Sequence, residues 1–486
     1  MAQRPSASRS AFSRRGFLLI GGSTLLLAAC APTPAPPRPS PTAASPTPPP
    51  APTGGPYTID SLLETSPFFI AHRGSGDNWV EHTYDAYANS VIAGAKAIEV
   101  SVSRTSDGVF VCHHDKNLAR LTGVDLDIGD ATWEQLSTLQ NDARPWLGPL
   151  AALQPIPRLD DVLAAFASTH VIFLEDKQGT NTAELLDLME QWDPDHIRFV
   201  WKQWAGAQQY QAVAKRGFRT WGYFTPDSLG RLAELAPRFD MLGIPVDASD
   251  ADMSAFAAIG KPVIAWEVRR RSQRDRLVSL GVVGMMCADI PYLFTEEPAS
   301  DADAFASGLR SAGDLPDVIG SDWSQQPYID PASATLRMSP GQTATYVLGS
   351  LSPAAADATK VSLELRWPDA GPSGGAAAGF SFGAGDDNPR PAGSPDAVTV
   401  LVGASGTVSV AQGGRTLAAL ESSAPRAGEW IGLTVALFGG GATLTRDSDS
   451  SKSVTAPGIA SELGYVSLLR SAPSDPAVEF RRVSVV

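Results

Sequence analysis

From residue 68 onward the chain alternates short apolar runs with longer stretches of helical period. Strand candidates begin near residues 68, 98, 109, 171, 197, 219, 240, 262 and 283, and most are separated by helical stretches. Phe68-Phe69-Ile70-Ala71 is an apolar run stopped by a glycine, which suits a buried strand whose tip delivers His72 and Arg73 into a cleft. A helical stretch follows from about Glu81 to Gly94, with apolar or small residues at Tyr84, Ala88, Val91, Ile92 and Ala95. In the next strand, Ala97 to Val102, side chains alternate faces. Glu99 and Ser101 therefore share one face while Ile98, Val100 and Val102 pack outward against helices. Thr105-Ser106-Asp107-Gly108 is a turn signal, and Val109 to His113 returns into His114-Asp115. That connection is too short for a crossover helix, so the returning strand is expected to run antiparallel, as a hairpin.

After about residue 298 the pattern changes. Ala299 to Ser311 reads as a final helix, and 313–334 as a linker rich in Pro, Asp and Ser. From 335 to 486 short strands recur between Gly and Pro clusters: near 344–348, 361–367, 380–383, 398–402, 408–411, 430–438, 443–446, 465–469 and 478–485. Such spacing without helical period predicts an antiparallel β-sandwich.

The first 56 residues carry addressing information. Ser13-Arg14-Arg15-Gly16-Phe17-Leu18, the apolar stretch to Ala29 and Leu27-Ala28-Ala29-Cys30 read as a twin-arginine signal with a bacterial lipobox, spanning 1–30. Lipidation at Cys30 would anchor the mature chain to the outer face of the cell membrane. Residues 31–56 hold 12 prolines in 26 positions. They are expected to form an extended tether reaching up to roughly 80 Å at about 3.1 Å per residue. Loss of the signal removes four arginines and no acids, so the net charge moves from −14 to −18. That excess argues against nucleic acid as a partner and against docking on anionic lipid.

The candidate chemistry lies in ordered motifs. The string Ile70-Ala71-His72-Arg73-Gly74, then Glu81-His82-Thr83, then Gly94-Ala95 with Ile98-Glu99, then Thr105 to Thr122 with Asp107-Gly108 and His114-Asp115, resembles the glycerophosphodiester phosphodiesterase family. Ile156 to Leu163, Glu175-Asp176-Lys177, Val263 to Trp266 and Gly281 to Pro291 resemble its later segments, so the likeness covers roughly 66–297. It implies a TIM barrel over 57–312. The strand pattern agrees, since setting aside the hairpin leaves eight parallel strands with the reactive residues at their C-terminal ends.

By the same resemblance His72 and His114 act as general acid and base, and Arg73 and Lys177 neutralise the phosphate. Glu99 and Glu175, with position 101, would hold a divalent cation, calcium or magnesium. Serine at 101 removes one carboxylate, which predicts a weaker metal site. Asp176 has the wrong strand parity to replace it, whereas Glu81, Asp115 and Glu267 lie at loop positions of unfixed direction. The attacking oxygen is water or a neighbouring glycerol hydroxyl.

Other residues carry two readings. Trp266 either walls the site or fills the barrel, and the resemblance favours the wall. Trp201 and Trp204 suit an apolar subsite or plain core. Arg269, Arg270 and Arg271 attract an anionic head group or form a solvated loop face. His113, His82, His170 and His196 read as structural. Cys112 and Cys287 read as buried thiols, with a disulfide as the alternative. Pieces such as Trp430 to Val435 and Phe480 to Val485 resemble concanavalin-like jelly rolls, for which binding a surface glycan and serving as a packing module are the two options. Two functional classes follow: an exported phosphodiester hydrolase, with a phospholipase D-like activity on lipids as an option within it, and a barrel that only binds phosphorylated surface ligands.

Overall fold

A computed structural model describes residues 55–320, 323–447, 452–459 and 462–486. The twin-arginine signal, Cys30 and the tether up to residue 54 lie outside these. No helix among the described residues is long and apolar enough to cross a membrane.

Nine strands form the barrel sheet of the first domain: β1 Phe68–Ala71, β2 Ala97–Arg104, β3 Phe110–Cys112, β4 Val171–Asp176, β5 Phe199–Trp204, β6 Arg219–Tyr223, β7 Met241–Pro245, β8 Val263–Val268 and β9 Gly284–Cys287. Eight of them pair in parallel, and the ring closes because β1 bonds both β9 and β2. β3 pairs antiparallel with the end of β2, Val102 facing Cys112, so the expected hairpin is present.

Strand parity explains what the barrel contains. The inward column runs through Phe68 and Ile70, Ala97, Val171 and Phe173, Val200, Trp221, Met241, Ile264 and Met286, which pack together as the inner core. The outward column, with Ile98, Val100, Ile172, Leu174, Phe199, Trp201, Leu242 and Ala265, packs against the helices. Continuing each inward column toward the strand's C-terminal end replaces apolar residues by Glu99 and Ser101, Glu175, Lys202, Tyr223 and Trp266. Thr83 caps the first barrel helix, Tyr84–Ile92, by accepting from Ala86 N–H at 3.2 Å, and this fixes the helix start three residues later than the sequence pattern suggests.

The second domain consists of two seven-stranded antiparallel sheets whose inner faces share one core, including Leu336, Val361 and Leu433 from one and Tyr346, Phe380 and Val400 from the other. It reaches further back than its strand pattern indicates. Asp314–Pro316 and Tyr328–Asp330, within the segment expected as a linker, are strands of the two sheets. Likewise 299–311, expected as a helix, holds only a 3-10 turn at Phe305–Ser307. Here Asp303 accepts from Val483 N–H at 2.6 Å, and Phe305 enters the sandwich core, contacts that a helical period cannot provide.

The two domains are clamped together through the arginine run. Arg270 and Arg271 are buried rather than solvated. Arg270 donates to Pro316 O at 2.6 Å and to Asp387 O at 3.1 Å, and Arg271 donates to Ser352 O at 2.8 Å. In return the Asp387 carboxylate accepts from Arg271 N–H at 2.6 Å and Ser272 N–H at 2.9 Å, at the start of the helix Arg271–Ser279, and from Tyr292 O–H at 2.9 Å. Consecutive arginines read as a surface because their acceptors come from 46 to 117 residues away. Cys112 and Cys287 are both free and buried, on β3 and β9, so the disulfide alternative is not realised.

Candidate active site

The polar ends of the inward columns converge on one rim. His72 follows β1 and donates from Nδ1 to Glu267 Oε1 at 2.8 Å. Arg73 next to it has a left-handed backbone, φ 54°, which turns its N–H onto Glu99 Oε2 at 2.8 Å. Its guanidinium reaches Glu81 at 3.1 Å. Arg269 holds Glu267 at 2.7 Å and Asp77 at 3.0 Å, so Glu267 stays ionised: burial opposes its charge, but Arg269, His72 and Arg73 outweigh that and hold it well below the usual range.

His114 is fixed from its other side. Its Nδ1 donates to Asp115 Oδ1 at 2.8 Å, and Arg120 holds Asp115 at 2.5 Å while also pairing with Glu81. Its Nε2 lies 3.4 Å from Lys177 Nζ. Burial, and then the positive charge of Arg73, press the His114 pKa down to about 4, against the pull of Asp115, so the ring is neutral near pH 7.

Between these groups sits a residue that the motif reading passed over. Lys202, on β5, places Nζ 2.7 Å from Glu99 Oε1 and 2.7 Å from Glu175 Oε2. Burial disfavours its charge, yet Glu175 and Glu99 raise its pKa above the ordinary lysine value. Ser101 also donates to Glu99 Oε1, at 3.0 Å, and Tyr223 O–H donates to Glu175 Oε1 at 2.8 Å. Glu99 and Glu175, expected to hold a divalent cation, have the Lys202 ammonium between them. Of the reserve carboxylates, Glu81 serves Arg73 and Arg120, Asp115 serves His114, and Glu267 serves His72. Asp176, as parity predicts, turns outward to accept from Asn181 N–H at 2.7 Å. Among the described residues no group of three or more His, Cys, Asp or Glu side chains is arranged to hold a metal ion.

The rim encloses two adjoining spaces, both lined by His72, Arg73, His114 and Glu267. The inner one, about 100 Å³, is bounded by Glu175, Lys177, Lys202, Tyr223 and Trp266. The outer one, about 480 Å³, is bounded by Asp77, Arg120 and Arg269 and by Ile319 and Trp323, which come from the chain after Pro316. Trp323 stacks on Trp146 with centroids 5.9 Å apart and lies under the guanidinium groups of Arg269 and Arg310. A larger cavity, about 680 Å³, lies at the opposite, strand-start end beside Phe68 and Phe294 and carries no acid–base pair. Arg73 Nε and Trp266 Nε1 are buried donors without an acceptor among the described residues, and both side chains line the inner space.

The remaining candidates separate. Trp201 is buried in the outer core, its Nε1 on Gln203, while Trp204 is 42% exposed at the strand end, and neither lines the rim. His113 donates to Asp115 O at 2.9 Å, beneath the site. His82 stacks parallel to His114 at 6.4 Å and contacts Tyr87 O–H at 2.7 Å. His170 and His196 bond Thr169 and Glu190, away from the rim.

Residues 72–279 match the model of the glycerophosphoryl diester phosphodiesterase family. A glycerophosphodiester phosphodiesterase of Arabidopsis thaliana is 39% identical over 74 residues, 15% of this chain and 20% of that protein. A human lysophospholipase D is 29% identical over 158 residues, 30% of this chain and 46% of its own. The chain thus spans less than half the length of the curated relatives it matches. Among solved structures, a phosphodiesterase of Oleispira antarctica in complex with the product sn-glycerol-3-phosphate is 19% identical, covering 47% of this chain and 96% of that one, with a TM-score of 0.40.

Proposed function

We propose that this chain, whose residues 72–279 form a glycerophosphoryl diester phosphodiesterase family domain, is a phosphoric diester hydrolase acting on glycerophosphodiesters. The observation that carries the reading is the histidine pair. His72 and His114 line the same space from different strands, and each is oriented through Nδ1 by a carboxylate, so that Nε2 is the ring atom that serves the substrate, that of His114 beside Lys177 Nζ at 3.4 Å.

The roles follow from the charges behind the rings. His114 is held neutral beside Arg73 and Lys177, so its Nε2 takes the proton of the attacking hydroxyl, water or the glycerol's own. That oxygen forms the new bond to phosphorus as the bond to the leaving alcohol breaks. His72, oriented through Nδ1 by Glu267, gives the departing alkoxide its proton. Arg73, Lys177 and the Trp266 N–H face the negative charge that builds on the phosphoryl oxygens. The outer space suits a head group of a few polar atoms, and Arg269 and Trp323 at its edge offer cationic and aromatic contacts.

The test is alcohol release from glycerophosphocholine, glycerophosphoethanolamine and a lysophospholipid by purified protein, with calcium, with magnesium and with chelator. His72→Ala and His114→Ala are expected to lower kcat by about 10²- to 10⁴-fold. Absence of histidine-dependent turnover on every substrate would leave only ligand binding for this barrel.

Export by the twin-arginine route and lipid attachment at Cys30 belong to the same proposal, supported by Arg14-Arg15 and by Leu27-Ala28-Ala29-Cys30. In a bacterial host the wild-type chain should incorporate labelled palmitate and sediment with membranes, whereas Cys30→Ser should do neither. An unlabelled wild-type chain counts against the anchor.

A further inference from the structure

We propose that Lys202 is the resident cation of this site, holding the position between Glu99 and Glu175 that a divalent ion would need, so that cleavage proceeds without a metal. This rests on the hydrolase reading above and names the charge that serves it.

Three observations carry it. First, three of the four oxygens already accept hydrogen bonds. Glu99 Oε1 accepts from Ser101 and Lys202, Glu99 Oε2 from Arg73 N–H, and Glu175 Oε1 from Tyr223, while Glu175 Oε2 accepts no hydrogen bond but forms ion pairs with Lys202 at 2.7 Å and Lys177 at 3.5 Å. Calcium or magnesium binds carboxylate oxygens at about 2.0–2.6 Å, so an ion bridging these two glutamates would coincide with Nζ. Second, the lysine is built in. Its strand parity points it into the barrel with Val200, it is buried, and its Nζ lies 5.6 Å from the centroid of the Tyr223 ring. Displacing it toward an entering dication would set two positive charges side by side in a buried space. Third, position 101 is a hydroxyl donor. A donor at that place suits two glutamates that already share an ammonium, whereas a third carboxylate would have suited a dication.

The chemistry is consistent with this charge. An ammonium has three N–H donors; one is taken by Glu99, Glu175 lies in ion-pair contact at 2.7 Å, and a donor remains for a phosphoryl oxygen in the space that Lys202 lines. Unlike a metal it does not acidify a bound water, so activation of the nucleophile falls to the histidines.

The experiment uses the full mature chain. Calorimetric titration of the wild type with calcium and with magnesium should show no stoichiometric binding up to millimolar ion, and glycerophosphodiester turnover should change less than twofold after exhaustive chelation. Ser101→Asp alone should still bind no calcium. In Lys202→Ala/Ser101→Asp the local charge falls by two units, which one divalent ion restores. This double variant should bind calcium with a dissociation constant at least tenfold below that of the wild type and gain several degrees in Tm when calcium is added. Stoichiometric micromolar binding of calcium or magnesium by the wild type, or chelator-sensitive turnover that calcium or magnesium restores, overturns the proposal. The titration and melting readouts need no activity, so a protein inert on every substrate would fail the hydrolase reading while the role of Lys202 is still decided by ion binding.

Discussion

His72 Nδ1 and Glu267 Oε1 meet at 2.8 Å across the ends of β1 and β8, and Arg269 grips the same carboxylate at 2.7 Å. Glu267 thus orients the His72 ring through Nδ1. In Glu267→Gln the amide keeps the shape and loses the charge, and kcat should fall on the order of 10²-fold, at the low end for losing the acid itself, with KM changed less than threefold. Steady-state kinetics decide it, and an unaltered kcat would remove His72 from the acid role.

Asp314 is buried at the junction of the domains and accepts from Ser350 N–H at 2.9 Å. Burial raises its pKa to about 7, with hydrogen bonding and Arg310 only partly offsetting this. The folded state therefore takes up a proton that the unfolded chain, near 3.8, does not, and this contribution to stability is lost as pH rises from about 4 through 7. Asp314→Asn abolishes the titration. The Tm of the variant minus that of the wild type should increase by several degrees between pH 5 and pH 8, and parallel melting curves across that range would contradict it.

His114 works in the opposite direction. Its folded pKa of about 4 lies below the unfolded value of 6.5, so the unfolded chain binds the proton first and stability is lost as pH falls from 6.5 toward 4. In His114→Gln, measured by urea denaturation, the decline between pH 7 and pH 4.5 should be shallower than in the wild type. A variant that declines as steeply would show that His114 is not held neutral in the fold.

Asp387 closes the N-terminus of the helix that begins at Arg271 and binds Tyr292 at the same time. Asp387→Ala removes a cap and leaves buried donors unanswered, with an expected cost of about 2–4 kcal/mol in chemical denaturation. A change below about 0.5 kcal/mol would mean that the arginine clamp holds the domains without it.

Trp323 walls the outer space, stacked on Trp146. Trp323→Ala should raise KM for glycerophosphodiesters several-fold while kcat stays within twofold, because the wall is remote from the reacting bond. An equal loss in kcat would place the tryptophan in the chemistry instead.

Much of the barrel was legible because a closed parallel sheet writes itself twice in the chain, as apolar runs and as a motif at each strand's end. The hairpin followed from one short turn, and the outward direction of Asp176 from parity alone. Lys202 belongs to no motif; its only signal is a lysine at the inward parity of Val200 in a mostly apolar strand, a place where burial demands partners. The roles of Glu267 and Asp115 were open because loop direction is not periodic. Arg270 and Arg271 misled for a different reason: their acceptors, Pro316, Ser352 and Asp387, lie far along the chain, and local sequence carries no trace of them. The strands Asp314–Pro316 and Tyr328–Asp330 are three residues each, too short for alternation to register.

The seam between the domains has a consequence for modularity. Asp289, just after β9, receives Gly313 N–H at 2.8 Å, and Arg310 donates to Asp77 O beside the rim. A gene fragment ending where the barrel pattern stops would sever these bonds and discard the tryptophan at the mouth. The sandwich is thus no exchangeable cargo: a replacement would have to supply the same wall, and changes in either partner are constrained by the pocket they share.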